Sequence, residues 1–186
     1  DFERINYNEL IADTYFINSS NSFYELKKFM HKNMNNFFNK YKSNELLKKF
    51  GIEKILIISS LVEKEAKGNE DKLLITSVIL NRLNKKMKLQ IDASVIAAIT
   101  QGEYRLNRKL TYKDLKFQHY LNTYVIKGLP NEMISYVGKD TIEIVLKNPK
   151  SDFLFYFYNI LESKHVYSIN FNEHKKKLNE YRKKIK

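Results

Sequence analysis

Cysteine is absent from these 186 residues, so neither a disulfide framework nor a thiolate metal site can form. Tryptophan is absent too, and there are only five glycines and two prolines. So few chain breakers exclude a loop-rich β-sandwich. No apolar run is long enough to span a bilayer, and no signal peptide follows Asp1. The opening DFERINYNEL reads as the inside of a domain, so a preceding segment is expected. The four histidines, His31, His119, His165 and His174, match neither H-x-x-x-H nor H-E-x-x-H. No metal and no cofactor are therefore expected. A serine nucleophile elbow and a Gly-rich phosphate loop are also missing. What remains for catalysis is acid–base work by a carboxyl group.

The residues that are present describe a folded domain. Hydrophobic content is 43% and aromatic content 13%, all Tyr and Phe. The formal net charge is +12, which admits nucleic acid, an anionic membrane surface or an acidic polymer as partner. The densest basic run, HKKKLNEYRKKIK, reads as the solvated face of a terminal helix. No nucleic-acid-binding motif accompanies the charge, so nucleic acid is not expected as a partner.

Along the chain, residues 1–20 read as the end of a preceding module or a lead-in strand, and 21–186 as the main domain. Ser19-Ser20-Asn21-Ser22 reads as a turn and helix cap. From Phe23 to Tyr41, apolar residues recur at helical spacing. A short helical turn ends at Gly51, and a second helix covers 52–66. Asn69 reads as the cap of a helix whose core stripe is Leu73, Leu74, Val78, Ile79 and Leu83. Asn81 and Arg82 read as C-terminal capping residues. Asp92 with Ser94 reads as the N-cap of VIAAIT, and Thr111 to Asp114 as a capping box. Gly128-Leu129-Pro130 is a turn inside an irregular, polar loop. A helix from Asp140 stops at Asn148-Pro149. A two-strand hairpin over 153–169 and a basic helix from Asn170 follow. The fold class is α+β, mainly helical with a small antiparallel sheet.

One side chain breaks its pattern. In IEKILIISSLVEKEA, residues Ile58, Leu61, Val62 and Glu65 share one helix face. Glu65 stands where an apolar residue is expected. A carboxyl group among aliphatic side chains resists ionising, and a raised pKa suits a general acid near neutral pH. The plain alternative is a last-turn residue that reaches solvent past Gly68. Glu63 points away, toward Ser59 and Ser60, so the two glutamates are not a matched pair. Lys64 and Arg82 are the cations whose approach would reverse the shift.

The segment SSLVEKEAKGNEDKLLITSVILNRLNKKMKLQIDASVIAAI is similar to the signature of the endolytic murein transglycosylases of the MltG/YceG-like family. The likeness continues through LNTYVIKGLP, through NP with the aromatic strand FLFYF, and through HVYSINFNEH. Three features depart from the pattern. Ala93 replaces a proline, Leu121 replaces a tyrosine, and Asn131 to Met133 replace a Pro/Gly-rich stretch. A LysM-like module that usually precedes the domain is missing from this chain.

The resemblance implies a lysozyme/transglycosylase-like catalytic domain. It implies lytic cleavage between N-acetylmuramic acid and N-acetylglucosamine, leaving 1,6-anhydro ends. The family's essential glutamate, the second of E-K-E, carries over to Glu65 as general acid and base. Gln90, Asp92, Asn122, Thr123 and Tyr124 are the candidates for substrate binding. Asp92 is alternatively an N-cap, Asn122 and Thr123 a loop brace, and Tyr124 a core residue. His165 and Glu173-His174 are expected to tie the hairpin to the last helix. Implied partners are peptidoglycan glycan strands and cell-wall synthases. The implied place is the bacterial envelope, at the periplasmic face of the inner membrane, through an anchor outside this chain. The alternatives are a lysozyme-like hydrolase with Asp92 as second carboxylate, a non-catalytic glycan-binding scaffold, and a basic nucleic-acid binder.

Overall fold

The computed structural model of the chain describes residues 6–16, 18 and 22–185. A 3-10 turn, Tyr7–Glu9, precedes α1 (Phe23–Asn39), α2 (Glu45–Glu65), α3 (Asn69–Asn84), α4 (Asp92–Thr100), α5 (Tyr112–Leu115) and α6 (Lys139–Leu146). The hairpin β1 (Phe155–Asn159) and β2 (Lys164–Ser168) leads into α7 (Phe171–Lys184). The α+β expectation holds. Most of the expected turn cluster and the first residues of the lead-in lie outside the described residues. Ser22 caps α1 as expected, in a reciprocal capping box with Glu25. In place of a lead-in strand, the described residues form one parallel bridge, Ala12 to Gly138, while Ile11 packs into the core.

Helix α2 is the centre of the molecule. It kinks at Gly51, whose φ of 75° is open to glycine at little cost, so the two helices expected there join end to end. From Ile55 to Val62 every residue is buried. A helix apolar on all sides belongs inside a core, and α3, α4 and α6 surround this one. Ser59 and Ser60 are therefore not a polar face. They donate to the carbonyls of Ile55 and Ile57, and Ser60 Oγ also accepts the Ile134 N–H. Glu63 faces a network rather than open solvent. It accepts from the Thr141 hydroxyl and lies 3.5 Å from Lys72 Nζ, which also bonds Asp140 at 2.7 Å.

Two expected caps shift by one residue. Gly68, with φ 91°, occupies the N-cap of α3, and Asn69 is already helical. Ile91 occupies that of α4, and Asp92 opens the first turn. In α3 the buried face carries Ile75, Val78 and Ile79, whereas Leu73, Leu74 and Leu83 are only half-buried. The hairpin alternates as FYFYN. Phe155 and Phe157 pack on α7 against Phe171, His174 and Tyr181. Tyr156 and Tyr158 face the other way, beside His165 and Tyr167 of β2.

Arg82 is not a surface cap. It is buried and pairs with no acidic side chain among the described residues. Its Nε donates to the Leu154 carbonyl at 2.6 Å, and its Nη1 to those of Leu89 at 2.7 Å and Lys88 at 3.1 Å. Its guanidinium lies over the Phe155 ring. One side chain thus joins α3, the hairpin and the strap that leads to α4. Arg82→Met leaves several buried carbonyls unpaired and should lower unfolding free energy by about 3 kcal/mol in urea denaturation. Arg82→Lys, which lacks the fork, should not restore it. A loss below about 0.5 kcal/mol, usual for surface sites, would contradict this role.

Candidate active site

Glu65 is the last residue of α2, so the buried helix delivers its carboxyl to the edge of the core. The residue keeps partial access to solvent, while its carboxyl is enclosed by three elements. Oε1 accepts the Ala93 N–H at 3.2 Å, an amide in the first turn of α4. Oε2 accepts the Tyr156 hydroxyl at 3.3 Å, from β1. Burial raises the Glu65 pKa above the ordinary carboxyl range. The Ala93 bond opposes the rise, nearby Asp92 adds to it, and His165 and the Tyr156 bond oppose it. Neither Lys64 nor Arg82 forms an ion pair with Glu65.

Burial also pushes the Tyr156 phenol well up, with help from the Glu65 charge, so it stays a hydrogen-bond donor. Behind it lies an anchor that the sequence did not reveal. Asp71, in the first turn of α3, binds His165 Nδ1 at 2.8 Å, the Tyr167 hydroxyl and the Lys67 N–H. Burial opposes ionisation of Asp71, but these three bonds overcome it and hold the carboxyl below its usual range. The His165 ring meets Tyr156 edge-on at 5.3 Å. His165 therefore ties the hairpin to α3, not to α7 as expected. Glu173 and His174 do face the hairpin. Glu173 accepts the Ile169 N–H, and His174 packs against Phe155 and Phe157. The available signal for Tyr156 was the alternation FYFYN, which sorts Phe to one face and Tyr to the other.

The expected substrate-binding residues separate into two groups. Gln90 and Asp92 are exposed on the strap before and at the start of α4. Gln90 holds a left-handed backbone, φ 53°, and its side-chain oxygen lies 3.4 Å from Arg82 Nη1. Asp92 accepts the Tyr124 hydroxyl at 2.6 Å. Tyr124 is half-buried, and its phenol pKa is raised by burial and by that bond. Asp92 and Tyr124 lie near enough to Glu65 to interact electrostatically with it, and Gln90 lies two residues before Asp92 on the same strap.

Asn122 and Thr123 are corrected: both are wholly buried and present nothing to a substrate. Asn122 donates to the Leu115 and Phe117 carbonyls and accepts the Tyr124 N–H. Thr123 accepts the Ile91 N–H, shares a hydrogen bond with Ser94, and its carbonyl takes the Gln90 N–H. They fix the strap that carries Gln90, Asp92 and Ala93. Among the described residues, no group of three His, Asp or Glu is placed to hold a metal ion.

A carboxyl with a raised pKa, two hydrogen-bond donors and partial access to solvent can give a proton and take one back. Comparison with known proteins gives the family. The model of the YceG-like family matches residues 7–180. The chain is 34% identical over 173 residues to an endolytic murein transglycosylase of Bacillus subtilis (strain 168), covering 92% of this chain and 47% of that protein. It is 31% identical over 160 residues to one of Streptococcus pneumoniae serotype 2 (strain D39 / NCTC 7466), covering 84% and 28%. A crystal structure of a yceG-like protein from Listeria monocytogenes superposes with a TM-score of 0.78 at 35% identity, over 91% of this chain and 54% of that one. The chain thus spans about half the length, or less, of these relatives. With a matching family model over nearly its whole length and the same fold in a solved relative, the chain belongs to the YceG-like family.

Proposed function

We propose that this domain is an endolytic lytic transglycosylase acting on peptidoglycan glycan strands, with Glu65 as its single general acid and base. The observation that carries the proposal is the buried Glu65 carboxyl, held by Ala93 and Tyr156 and raised in pKa. The names of the curated relatives support the substrate class.

In the first step protonated Glu65 gives its proton to the glycosidic oxygen between N-acetylmuramic acid and N-acetylglucosamine. The bond from muramic C1 to that oxygen breaks, and the glucosamine leaves with a free hydroxyl. The C6 hydroxyl of the same muramic residue closes on C1. The Glu65 carboxylate takes the hydroxyl proton and returns to its starting state. No water is consumed, and the product is a 1,6-anhydro end. One carboxyl suffices, because the nucleophile is already tethered to the reacting ring. Hydrolysing glycosidases mostly need two carboxylates across the bond. Asp92, the nearest alternative, is exposed and engaged by Tyr124. Ala93 N–H and Tyr156 O–H stabilise the carboxylate that forms at proton transfer. Gln90, Asp92 and Tyr124 line the approach and suit sugar hydroxyls and N-acetyl groups. An envelope location, a membrane anchor outside this chain and cell-wall synthases as partners belong to the same proposal. They follow from where the substrate lies.

Glu65→Gln keeps the shape but cannot shuttle a proton, so cleavage of purified glycan strands should be lost. Glu63→Gln should retain most activity, since Glu63 serves the Lys72 network. Mass spectrometry of the products should find 1,6-anhydro-muramic ends. Predominantly reducing muramic ends would establish the hydrolase instead, and an active Glu65→Gln would remove Glu65 from the chemistry.

The acid form of Glu65 starts the reaction, so kcat/KM should fall as pH rises through its raised pKa. The Tyr156 hydroxyl favours the charged form, and removing it raises the pKa further. The alkaline limb of Tyr156→Phe should therefore move to higher pH, with a lower maximal rate. A limb that stays in place or moves down would show that Tyr156 does not act on Glu65.

A further inference from the structure

The hairpin is attached twice before Asp71 is counted. Helix α7 packs on its phenylalanine face, and Arg82 holds the Leu154 carbonyl just before β1. A carboxylate whose side chain is only 13% exposed is a costly way to add one more tie. We infer that Asp71 and His165 are positioning residues for Glu65: the carboxylate fixes the imidazole, and the imidazole fixes the Tyr156 ring whose hydroxyl donates to Glu65. The inference rests on the reading of Glu65 as the proton carrier.

The chain puts one carboxylate in control of both ends of the Glu65–Tyr156 bond. Glu65 ends α2 and Asp71 lies in the first turn of α3, so one short loop joins them. Within that loop, the Lys67 N–H donates to Asp71 Oδ2 at 2.6 Å. On the hairpin side, His165 and Tyr167 stand two residues apart on β2 and project from the same face. Both bind Asp71, His165 through Nδ1 at 2.8 Å and Tyr167 through its hydroxyl. Tyr156 is the register partner of Tyr167, and its ring meets both of these side chains, at 5.3 Å from His165 and 6.1 Å from Tyr167. The His165 side chain is 5% exposed, so solvent has little access to the pair.

The bond from Tyr156 to Glu65 is open to such control. At 3.3 Å it is long, and a small swing of the ring takes it out of hydrogen-bond range. Besides His165 and Tyr156, the titratable groups facing Glu65 are Asp92 and Tyr124 on the α4 side and Tyr167 on β2. Arg82, from α3, faces Tyr156 and Tyr124. Asp92 and Arg82 have partners of their own, the Tyr124 hydroxyl and the strap and hairpin carbonyls, and do not depend on Asp71.

The sign of the effect separates positioning from charge alone. A negative neighbour raises a carboxyl pKa, so deleting the Asp71 charge would by itself lower the Glu65 midpoint. Losing the Tyr156 hydrogen bond raises it, because that bond favours the carboxylate. The experiment is an NMR titration of the Glu65 side-chain carboxyl carbon in Asp71→Asn, with circular dichroism to check the fold. The midpoint should move up, by no more than in Tyr156→Phe. In the Tyr156→Phe background Asp71→Asn should add no further rise, because two residues acting through one contact are not additive. If Asp71→Asn does not fold, Asp71→Glu keeps the charge, displaces the carboxylate by one methylene and is judged by the same two readings. A midpoint that stays or falls, or a rise that persists without the Tyr156 hydroxyl, would overturn the inference. No cleavage is read, so this coupling is tested separately from whether Glu65 cuts the strand.

Discussion

Everything at the site depends on a carboxyl group ending a helix that is buried on every side. Ile55 to Val62 fill the centre of the core, so Glu65 cannot shift without moving the packing of α3, α4 and α6. The buried helix thus holds one carboxyl at the edge of the core. Burial disfavours the charged form, and each pKa unit of that preference is worth about 1.36 kcal/mol. Two bonds oppose it, at 3.2 and 3.3 Å, at or beyond the long end of good hydrogen-bond geometry. They are too few and too long to bring the carboxyl down to the range of fully satisfied carboxylates. The nearby Asp92 charge pushes in the same direction as burial.

The other elements are braced around this point. The strap from Lys88 to Asp92 has its carbonyls on Arg82 and its amides and first turn on Thr123 and Ser94. The hairpin is pinned on one face by α7 and on the other by the Asp71 anchor. Tyr156 and Ala93 therefore approach Glu65 from two fixed directions. Such bracing lets two modest hydrogen bonds orient one carboxyl.

The sequence made Glu65 legible because its stripe is otherwise aliphatic, and periodicity exposes a single exception. Helix and hairpin positions followed from the same patterns. Caps were displaced by one residue at Gly68 and Ile91, where backbone conformation outranked side-chain preference. Ser59 and Ser60, on the side to which Glu63 points, are polar in sequence yet fully buried. A serine that bonds its own helix carbonyl costs little to bury, and no periodicity shows this. Asn122 and Thr123 read in sequence either as sugar contacts or as a loop brace. Their amide and hydroxyl chemistry suits a buried loop brace equally well, and only the fold separates the two uses. Asp71, His165 and Tyr167 come from three separate parts of the chain, so no local pattern could join them. Arg82 looked like a helix-end cation, because nothing nearby in sequence announced the carbonyls it gathers.

The central claim is that burial governs the Glu65 carboxyl more strongly than the hydrogen bonds and charges around it. An NMR titration of the Glu65 side-chain carboxyl carbon measures this most directly. The account predicts a midpoint clearly above the unperturbed value of about 4.3. A midpoint at or below that value would contradict it.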